Sequence, residues 1–382
     1  MFPLTPEQVA LKDKVRALAE EHLRPLAEEI AESEGFPQAA FELFREAGFF
    51  KLCLPPEYGG QEAGALDMSL VISEIARISG ACALLPFPTN AVIRCLALTA
   101  SQEQKARWFP EFAQGDKMAA FCLTEPNYGS DAGSLMTRAE RTGQEYVING
   151  TKTFITLGQY ADYYLVFVRT GPGARTAGVS AVVVEQGAPG LGFGKTEKKM
   201  GLGGSITQEV IFQNCRVPAG NLLLEEGLGW QILTGAANPM RLWGAASMSL
   251  GMAQGAFELA VEHARTRRAS GHKISRYQSV QFMLADMAMK IEAARSLIWR
   301  TAVMIDSGEL EGGGAEMFVS MGKAFASDMA MEVCTDAVQI FGRMGVTRGH
   351  PVERIFRDAK GVQIFDGANQ VQRMIIARHI LR

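Results

Sequence analysis

The segment EYVINGTKTFITLG, residues 145–158, decides the fold class because it interrupts a helical pattern that continues on either side of it. Its two β-rich runs meet at Asn149 and Gly150, the dipeptide most typical of a two-residue hairpin turn, so we predict a hairpin there. Further runs of strand character, separated by glycine-rich turns, follow at residues 161–170, 178–185 and 207–218. Residues 118–225 are therefore predicted to form a β unit.

Helical periodicity surrounds this β unit. Near the start of the chain, Thr5, Pro6 and Gln8 have the pattern of a capping box with proline at the first helical position. From about Trp230 the helical period returns in long stretches, which include 279–308 and 315–342. Strands and helices do not alternate as they do in a doubly wound fold. We therefore predict an α+β, mostly α, chain with three domains: helical 1–117, β 118–225 and helical 226–382.

Composition excludes several classes of function. The 382 residues are enough for two or three packed units, and 47% hydrophobic with 21% charged residues is typical of a globular protein. With a net charge of -3 and no basic stripe, nucleic-acid binding is not expected. The six cysteines and five histidines match no metal-ligand spacing, so no metal site is predicted. The absence of a signal-peptide pattern and of about 20 uninterrupted apolar residues predicts a cytoplasmic protein without membrane contact.

One glycine-rich stretch imitates a phosphate-binding loop. PGLGFGKT, residues 189–196, ends as a P-loop does, but Pro189 stands where the first glycine belongs. The glycine-rich segment that follows does not open a helix, so backbone amides would not converge on a phosphate. We discount this motif.

Two longer stretches carry a specific resemblance. FCLTEPNYGSDAGSLMTRAE (121–140) and QIFGRMGVTRGHPVERIFRDAKGVQIFDGANQVQRMIIAR (339–378) resemble the two signatures of the acyl-CoA dehydrogenase family. The likeness covers essentially the whole chain, and it implies an N-terminal helical domain, a middle β-barrel or sandwich domain and a C-terminal four-helix bundle. It also implies FAD as cofactor, an acyl-CoA substrate, an electron-transfer flavoprotein as electron acceptor, and a homotetramer built as a dimer of dimers.

The first signature suits the flavin half of FAD. A strand-like FCLTE followed by a glycine and a serine presents backbone groups and hydroxyls along one edge, where a flat polar ring and its phosphates can bind. The resemblance implies cofactor contacts from Leu123, Thr124, Gly129, Ser130, Phe154 and Thr156. Phe154 stands where the family commonly has tryptophan, and Ser130 is also expected to touch the substrate.

The adenine half of FAD is held across a dimer contact in this family. The resemblance implies cofactor contacts here from Arg267, Ser270, Gln278, Gln339, Gly342 and Arg343. Two of these depart from the family pattern, since Ser270 replaces a stacking aromatic residue and Arg343 replaces a glycine. Arg267 is well suited to the pyrophosphate because its guanidinium is an always-charged fork of donors.

Asp366 is the candidate catalytic residue. By resemblance, a carboxylate removes the proton α to the thioester carbonyl while the β-hydrogen leaves as hydride to flavin N5. The family commonly has glutamate as this base, whereas Asp366 is one methylene, about 1.5 Å, shorter. A misplacement of about 1 Å can lower a rate roughly a hundredfold. We therefore expect a substrate that sits closer, such as a branched or cyclic acyl-CoA of the cyclohexanecarboxyl-CoA type.

The surroundings of Asp366 complete the predicted site. Substrate contacts are expected from Ser130, Arg241, Phe365, Asp366 and Gly367, and cofactor contacts from Ala368 and Gln370. The segment around Arg241, where some family members carry their base, contains no carboxylate. The alternative for Asp366 is a purely structural role as the cap of the following helix.

Two other functions remain open at this point. A flavin oxidase acting on a carbon acid without CoA is one, because a nitroalkane-oxidising relative also uses aspartate as its base. Reoxidation by oxygen without a mediator would identify it. The other is a flavin-binding protein with little catalysis, in which Asp366→Asn would leave every activity unchanged.

Overall fold

The computed structural model describes residues 4–33, 35–173, 175–310 and 314–381. The first predicted domain begins at residue 1 and the last one ends at residue 382, and residues 1–3 and 382 lie outside these ranges. The helices are α1 Pro6–Leu18, α2 Ala27–Glu32, α3 Gln38–Glu46, α4 Ala65–Ala76, α5 Gly80–Ala83, α6 Pro86–Thr99, α7 Gln102–Ala113, α8 Gly229–Thr234, α9 Ser247–Thr266, α10 Gln278–Asp306, α11 Gly314–Phe341, α12 Pro351–Val362 and α13 Asn369–Ile380. The strands are β1 Ala119–Cys122, β2 Arg138–Thr142, β3 Glu145–Thr156, β4 Tyr163–Arg169, β5 Val179–Glu185, β6 Leu191–Thr196, β7 Thr207–Pro218, β8 Arg268–Ala269 and β9 His272–Lys273.

The α+β, mostly α, fold class is confirmed, with helices, then one curled sheet, then helices. In the sheet, β4 pairs in parallel with β1 on one edge and antiparallel with β5 on the other. The antiparallel series β2, β3, β7 and β6 continues the sheet from the end of β4. The two short strands β8 and β9 form a separate hairpin between α9 and α10.

The predicted hairpin at Asn149 and Gly150 is wrong, because β3 runs through both residues without a turn. The hairpin turn falls earlier, at Gly143, where Thr142 of β2 faces Glu145 of β3. The register of β3 against β7 shifts instead between Ile148 and Gly150. A methyl group on Gly150 would lie 2.5 Å from the hydroxyl of Thr137, so the glycine permits a close approach of two strands.

Among the residues that the structure describes, one stretch, Gly80–Thr99, is long and apolar enough to pass as a membrane span by length and composition alone. It contains no uninterrupted apolar run of that length, and 83% of its window is buried inside the protein. Two buried polar residues in α6 connect it to its neighbours: Thr89 Oγ1 accepts a bond from Ala119 N (3.0 Å) and Asn90 Oδ1 accepts one from Cys53 N (2.9 Å). This stretch is therefore a core element between the N-terminal helices and the sheet.

The segment between β6 and β7 docks the sheet onto the C-terminal helices. Leu202 N donates to the buried carboxylate of Asp358 on α12, and Arg357 Nη1 donates to Met200 O at 2.9 Å. A methyl group on Gly201 would lie 2.4 Å from the backbone of Arg357, so only glycine fits against α12 here. This contact fixes α12, and the loop that follows it, relative to the sheet.

Helix α11 is central in the C-terminal part, because it packs against α9, α10, α12 and α13. The chain leaves α12 at Val362, turns through residues 363–368 and enters α13 at Asn369. We call residues 363–368 the α12–α13 loop. Lys323 Nζ on α11 donates to Gly367 O at 2.8 Å, which holds this loop against α11.

Candidate active site

The α12–α13 loop holds Asp366 in an unusual backbone conformation. Asp366 has φ of 55° and Gly367 has φ of 84°, so two successive residues occupy the left-handed region. A non-glycine residue is uncommon there, and such strain tends to occur at functional positions. A methyl group on Gly367 would lie 2.4 Å from Gln372 Nε2, so the second position needs glycine for reasons of space as well.

Asp366 does not cap the helix that follows it, so the alternative in which this residue is the cap of α13 is wrong. The N-cap residue of α13 is Ala368, and it makes no side-chain cap hydrogen bond with any described residue. Asp366 as a residue is half-buried, but its Oδ2 atom is fully buried and has no hydrogen-bond partner among the described residues. A buried carboxylate oxygen without a partner is costly in a folded protein, which points to a group kept for a ligand.

The pKa of Asp366 is raised by burial, while the charges of Arg241 and Lys323 act in the opposite direction. Burial makes the carboxylate a stronger base than a surface aspartate. The two cations favour the ionised form that can accept a proton. The arrangement suits a general base whose pKa has moved toward the working pH.

Arg241 lies beside Gly367, since a methyl group on that glycine would come within 3.9 Å of Arg241 Nε. It opens a π-helical turn, Arg241–Ala246, a local geometry that is frequent at functional sites. Its Nη1 donates to Asn238 Oδ1 at 2.9 Å. Burial lowers the pKa of Arg241, and Asp366 opposes that shift. The predicted substrate residue Arg241 is thus brought next to the predicted base.

Lys323 and Gln372 belong to this site and were not predicted. Both side chains are fully buried. Lys323 Nζ donates to Gly367 O (2.8 Å) and Asn369 Oδ1 (2.9 Å), and Gln372 Nε2 donates to Gly367 O (3.0 Å). The one available signal in the sequence is a lysine on an otherwise apolar helical face, four residues after the buried Val319.

The remaining predicted neighbours of Asp366 are placed along the same loop and the start of α13. Phe365 is half-buried and packs against the hydrophobic core. Ala368 is half-buried, and Gln370 is exposed on the first turn of α13.

The residues predicted to contact the flavin ring come together on the sheet. Thr153 N donates to Thr124 O (2.8 Å), and Lys152 Nζ donates to Leu123 O (3.1 Å), so β3 is tied to the end of β1. Phe154 lies at a bulge in β3 with φ of 55°, and it remains 60% exposed. An exposed aromatic face beside the end of β1 suits a flat heterocycle.

The polar groups of this region also suit FAD. Within the described ranges, the hydroxyls of Thr124, Ser130 and Thr156 make no hydrogen bond, and all three residues retain exposure to solvent. Gly129 is exposed, and a methyl group there would meet no atom of the described residues within 4 Å. These residues thus offer free donors and an open backbone edge for the ring carbonyls and phosphates.

The residues predicted to contact adenine form a separate group. Ser270 (φ 48°) and Gly271 (φ 81°) make the two-residue turn of the β8–β9 hairpin, a backbone shape that favours small residues. The rings of His263 and Phe341 stack at 4.1 Å, which brings the ends of α9 and α11 together. Arg267, Gln339, Gly342 and Arg343 are exposed at or just beyond these ends, and Gln278 is exposed at the start of α10.

This adenine group is distant from the base within one chain. Gln339 lies about 24 Å further along α11 than Lys323, at about 1.5 Å per residue of helix. Lys323 itself contacts the α12–α13 loop. A single chain therefore presents the Asp366 group and the adenine group as two separate clusters.

Replacing Phe154 with alanine is expected to weaken FAD binding without unfolding the sheet. A stacked aromatic contact contributes about 0.5–1.5 kcal/mol, so the dissociation constant should rise roughly 2- to 12-fold. Fluorescence titration of the apoprotein with FAD measures this change. Leu98→Ala, at a residue 62% exposed on α6, is the control. An unchanged FAD affinity in Phe154→Ala would remove this residue from the cofactor site.

Comparison with known proteins gives one consistent family. The chain matches the models named "Acyl-CoA dehydrogenase, N-terminal domain" over residues 5–116, "middle domain" over 120–215 and "C-terminal domain" over 227–381. Two enzymes of Geobacter metallireducens are each 41% identical to it: cyclohex-1-ene-1-carbonyl-CoA dehydrogenase, with 100% of both chains covered, and cyclohexane-1-carbonyl-CoA dehydrogenase, with 100% of this chain and 99% of the relative.

Solved structures of similar proteins match this chain over its whole length. Butyryl-CoA dehydrogenase from Megasphaera elsdenii has a TM-score of 0.94 and 35% identity, with both chains covered in full. A chain in a structure described as the electron transferring flavoprotein of Acidaminococcus fermentans has a TM-score of 0.95 and 40% identity, again with full coverage of both chains.

Proposed function

Because the chain belongs to the acyl-CoA dehydrogenase family, whose members use FAD to dehydrogenate acyl-CoA thioesters, we propose that Asp366 removes the α-proton from a branched or cyclic acyl-CoA. The observation that carries this proposal is the buried Oδ2 atom of Asp366, which lacks a hydrogen-bond partner in the described chain and is flanked by two cations. A carboxylate in this state is ready to accept a proton from a substrate carbon once the ligand has excluded water.

Bound FAD supplies the acceptor, N5, for the hydride that leaves the β-carbon. The chain supplies the proton acceptor, Asp366, and donors for the thioester oxygen. The backbone N–H groups of Asp366 and Gly367 donate to no acceptor within the described ranges. We assign the N–H of Asp366 to the thioester oxygen, where it stabilises the negative charge that develops as the α-proton leaves.

The substrate class follows from the length of the base. Aspartate reaches about 1.5 Å less far than the glutamate common in this family, so the α-carbon has to lie closer to the α12–α13 loop. The shorter base also leaves room beside the α-carbon, and an α-carbon that carries a branch or a ring fills this room better than a straight chain does. The two relatives named for cyclohexane and cyclohexene thioesters, at 41% identity, support this choice.

The distance between the adenine group and the base supports assembly with a second copy. FAD bound on the flavin-ring group of one protomer would extend to Arg267 or Gln339 of its partner, as the family resemblance implies. We propose a homotetramer built from two such dimers, located in the cytoplasm. The similarity to a chain in an electron transferring flavoprotein structure supports an electron-transfer flavoprotein as acceptor.

The test is an anaerobic titration of the purified protein with FAD bound, following flavin absorbance. Butyryl-CoA, isobutyryl-CoA and cyclohexanecarboxyl-CoA are added separately as straight, branched and cyclic thioesters. We expect the cyclic thioester to bleach the flavin at the highest rate. Faster bleaching by butyryl-CoA would refute the substrate class, and no bleaching by any thioester would refute the proposed function.

A further inference from the structure

Lys323 places a positive charge inside the helical domain, and the proposed removal of the α-proton by Asp366 assigns no role to this lysine. Its side chain is fully buried in α11. Two of its three N–H donors are used, one by the carbonyl of Gly367 (2.8 Å) and one by Asn369 Oδ1 (2.9 Å). Burial of an ammonium group is unfavourable unless partners compensate it. Both partners belong to the loop and helix start that follow Asp366.

The hydrogen bonds of the charged groups around Lys323 show which carboxylate depends on the positive charge of Lys323. Three of them act on it: Asp366 in the α12–α13 loop, Arg241 in the π-helical turn, and Asp328 on α11. Asp328 already accepts hydrogen bonds from Arg373 (2.6 Å), from Gln363 (2.6 Å) and from Asn369 (2.7 Å). Glu316 acts on Arg241 and is paired with His379 at 2.9 Å.

Asp366 is therefore the carboxylate near Lys323 that has no hydrogen-bond donors of its own in the described chain. Its Oδ2 atom is buried, so water cannot replace those donors in this conformation. The nearby positive charges then decide whether the carboxylate is ionised.

We propose that Lys323 is the positioning residue for Asp366: its ammonium group fixes the loop through Gly367 and Asn369, and its charge keeps the carboxylate ionised. The role in catalysis rests on the proposed function of Asp366 as base. The effect on the ionisation of Asp366 requires no substrate. The two parts can therefore be tested separately.

The titration of Lys323 agrees with this role. Burial lowers the pKa of Lys323 to about 8, with Asp366 opposing the shift and Arg241 adding to it. Below about pH 8 the ammonium is charged and supports the ionised Asp366. In the unfolded chain a lysine keeps its proton to about pH 10.4. Since the folded state binds fewer protons between these two values, its stability gains from rising pH there, and Lys323→Met should lack that gain.

The experiment is an infrared titration of the Asp366 carboxyl group in the FAD-loaded protein without substrate. The carboxylic C=O stretch of Asp366 is isolated as the difference between each protein and the same protein with Asp366→Asn. In Lys323→Met we expect the protonation midpoint of Asp366 to move up by about one pH unit or more, because one cation is lost. The acid limb of kcat should move by the same amount, while KM for the thioester changes less than threefold.

Two further variants separate charge from hydrogen bonding and guard against misfolding. Lys323→Gln keeps a donor for Gly367 without the charge, so the midpoint of Asp366 should still move. Lys323→Arg keeps the charge and should restore a midpoint near that of the wild type. Lys290→Met, which removes a partly exposed lysine paired with Glu332 on the outside of α10 and α11, is the control and should change neither quantity.

The inference is overturned if the protonation midpoint of Asp366 and the acid limb of kcat both stay unchanged in Lys323→Met and Lys323→Gln. This outcome would overturn it even in an enzyme that oxidises thioesters normally. Conversely, a shifted midpoint in a protein whose flavin no thioester bleaches would support the effect of Lys323 on Asp366 and refute the proposed function. The two failures are thus distinguishable.

Discussion

Replacing Asp366 with asparagine should lower the rate of flavin reduction by acyl-CoA by about 10²- to 10⁴-fold, the usual contribution of a general base. FAD content should be retained, because the candidate ring contacts lie on the sheet. The folded state should become more stable at pH 7. The pKa of Asp366 is raised by burial, so the native protein binds more protons than the unfolded chain and loses stability as pH rises above about 3.9. Stopped-flow absorbance and thermal unfolding measure both effects.

Asp366→Glu is the matched variant, since it keeps the carboxylate and lengthens it by about 1.5 Å. We expect a measurable reduction rate and a preference that moves from the cyclic thioester toward butyryl-CoA. A reduction rate in Asp366→Asn equal to that of the wild type would contradict the role of this residue. A glutamate variant with unchanged preference would contradict the link between base length and substrate class.

Lys152→Met should cause the largest loss of stability, about 3–5 kcal/mol, because removing one partner of a buried ion pair leaves the other charge uncompensated. Lys152 is fully buried and donates to Glu125 Oε1 at 2.8 Å. Burial raises the pKa of Glu125, but Lys152 and the N–H groups of Met136 and Thr137 outweigh it, so the net pKa stays below its usual value. Urea unfolding measures the loss.

Cofactor loss should accompany this destabilisation, because Lys152 also holds the carbonyl of Leu123 at the end of β1. Flavin absorbance after gel filtration measures the FAD that remains bound. Lys195→Met is the control, since the exposed Lys195 pairs with the half-buried Glu197 at the surface, an interaction that should contribute at most about 1 kcal/mol. Equal unfolding midpoints for Lys152→Met and Lys195→Met would show that the buried pair of Lys152 and Glu125 does not hold the end of β1 in place.

The order of helices, sheet and helices could be predicted because periodicity is a property of the local sequence. The role of Asn149 and Gly150 could not, because it depends on a partner strand. Asn149 Nδ2 donates to Asn214 Oδ1 at 3.2 Å and Asn214 N donates to Asn149 Oδ1 at 2.8 Å. This reciprocal contact across β3 and β7 replaces the hairpin turn that the dipeptide favours on its own.

The sequence motif was enough to predict Asp366 as the candidate base, but it did not predict the buried residues that surround Asp366. Lys323 and Gly367 are 44 residues apart, and only the packing of α11 under the α12–α13 loop brings them together. Whether Asp366 caps α13 depends likewise on the backbone angles of Asp366 and Gly367. Burial and the direction of a pKa shift are consequences of tertiary packing, so a single sequence reveals the type of residue and leaves its charge environment open.

Solvent exchange at the substrate α-carbon tests the role of Asp366 as base, because it reports proton removal separately from hydride transfer. Cyclohexanecarboxyl-CoA in excess is incubated in D₂O with the FAD-loaded protein, without oxygen or any electron acceptor, and the recovered thioester is analysed by mass spectrometry. With Asp366 as the base, we expect deuterium at the α-carbon with the wild type and none above background with Asp366→Asn. Exchange by Asp366→Asn at the wild-type rate would contradict this role of Asp366, since another group would then remove the α-proton.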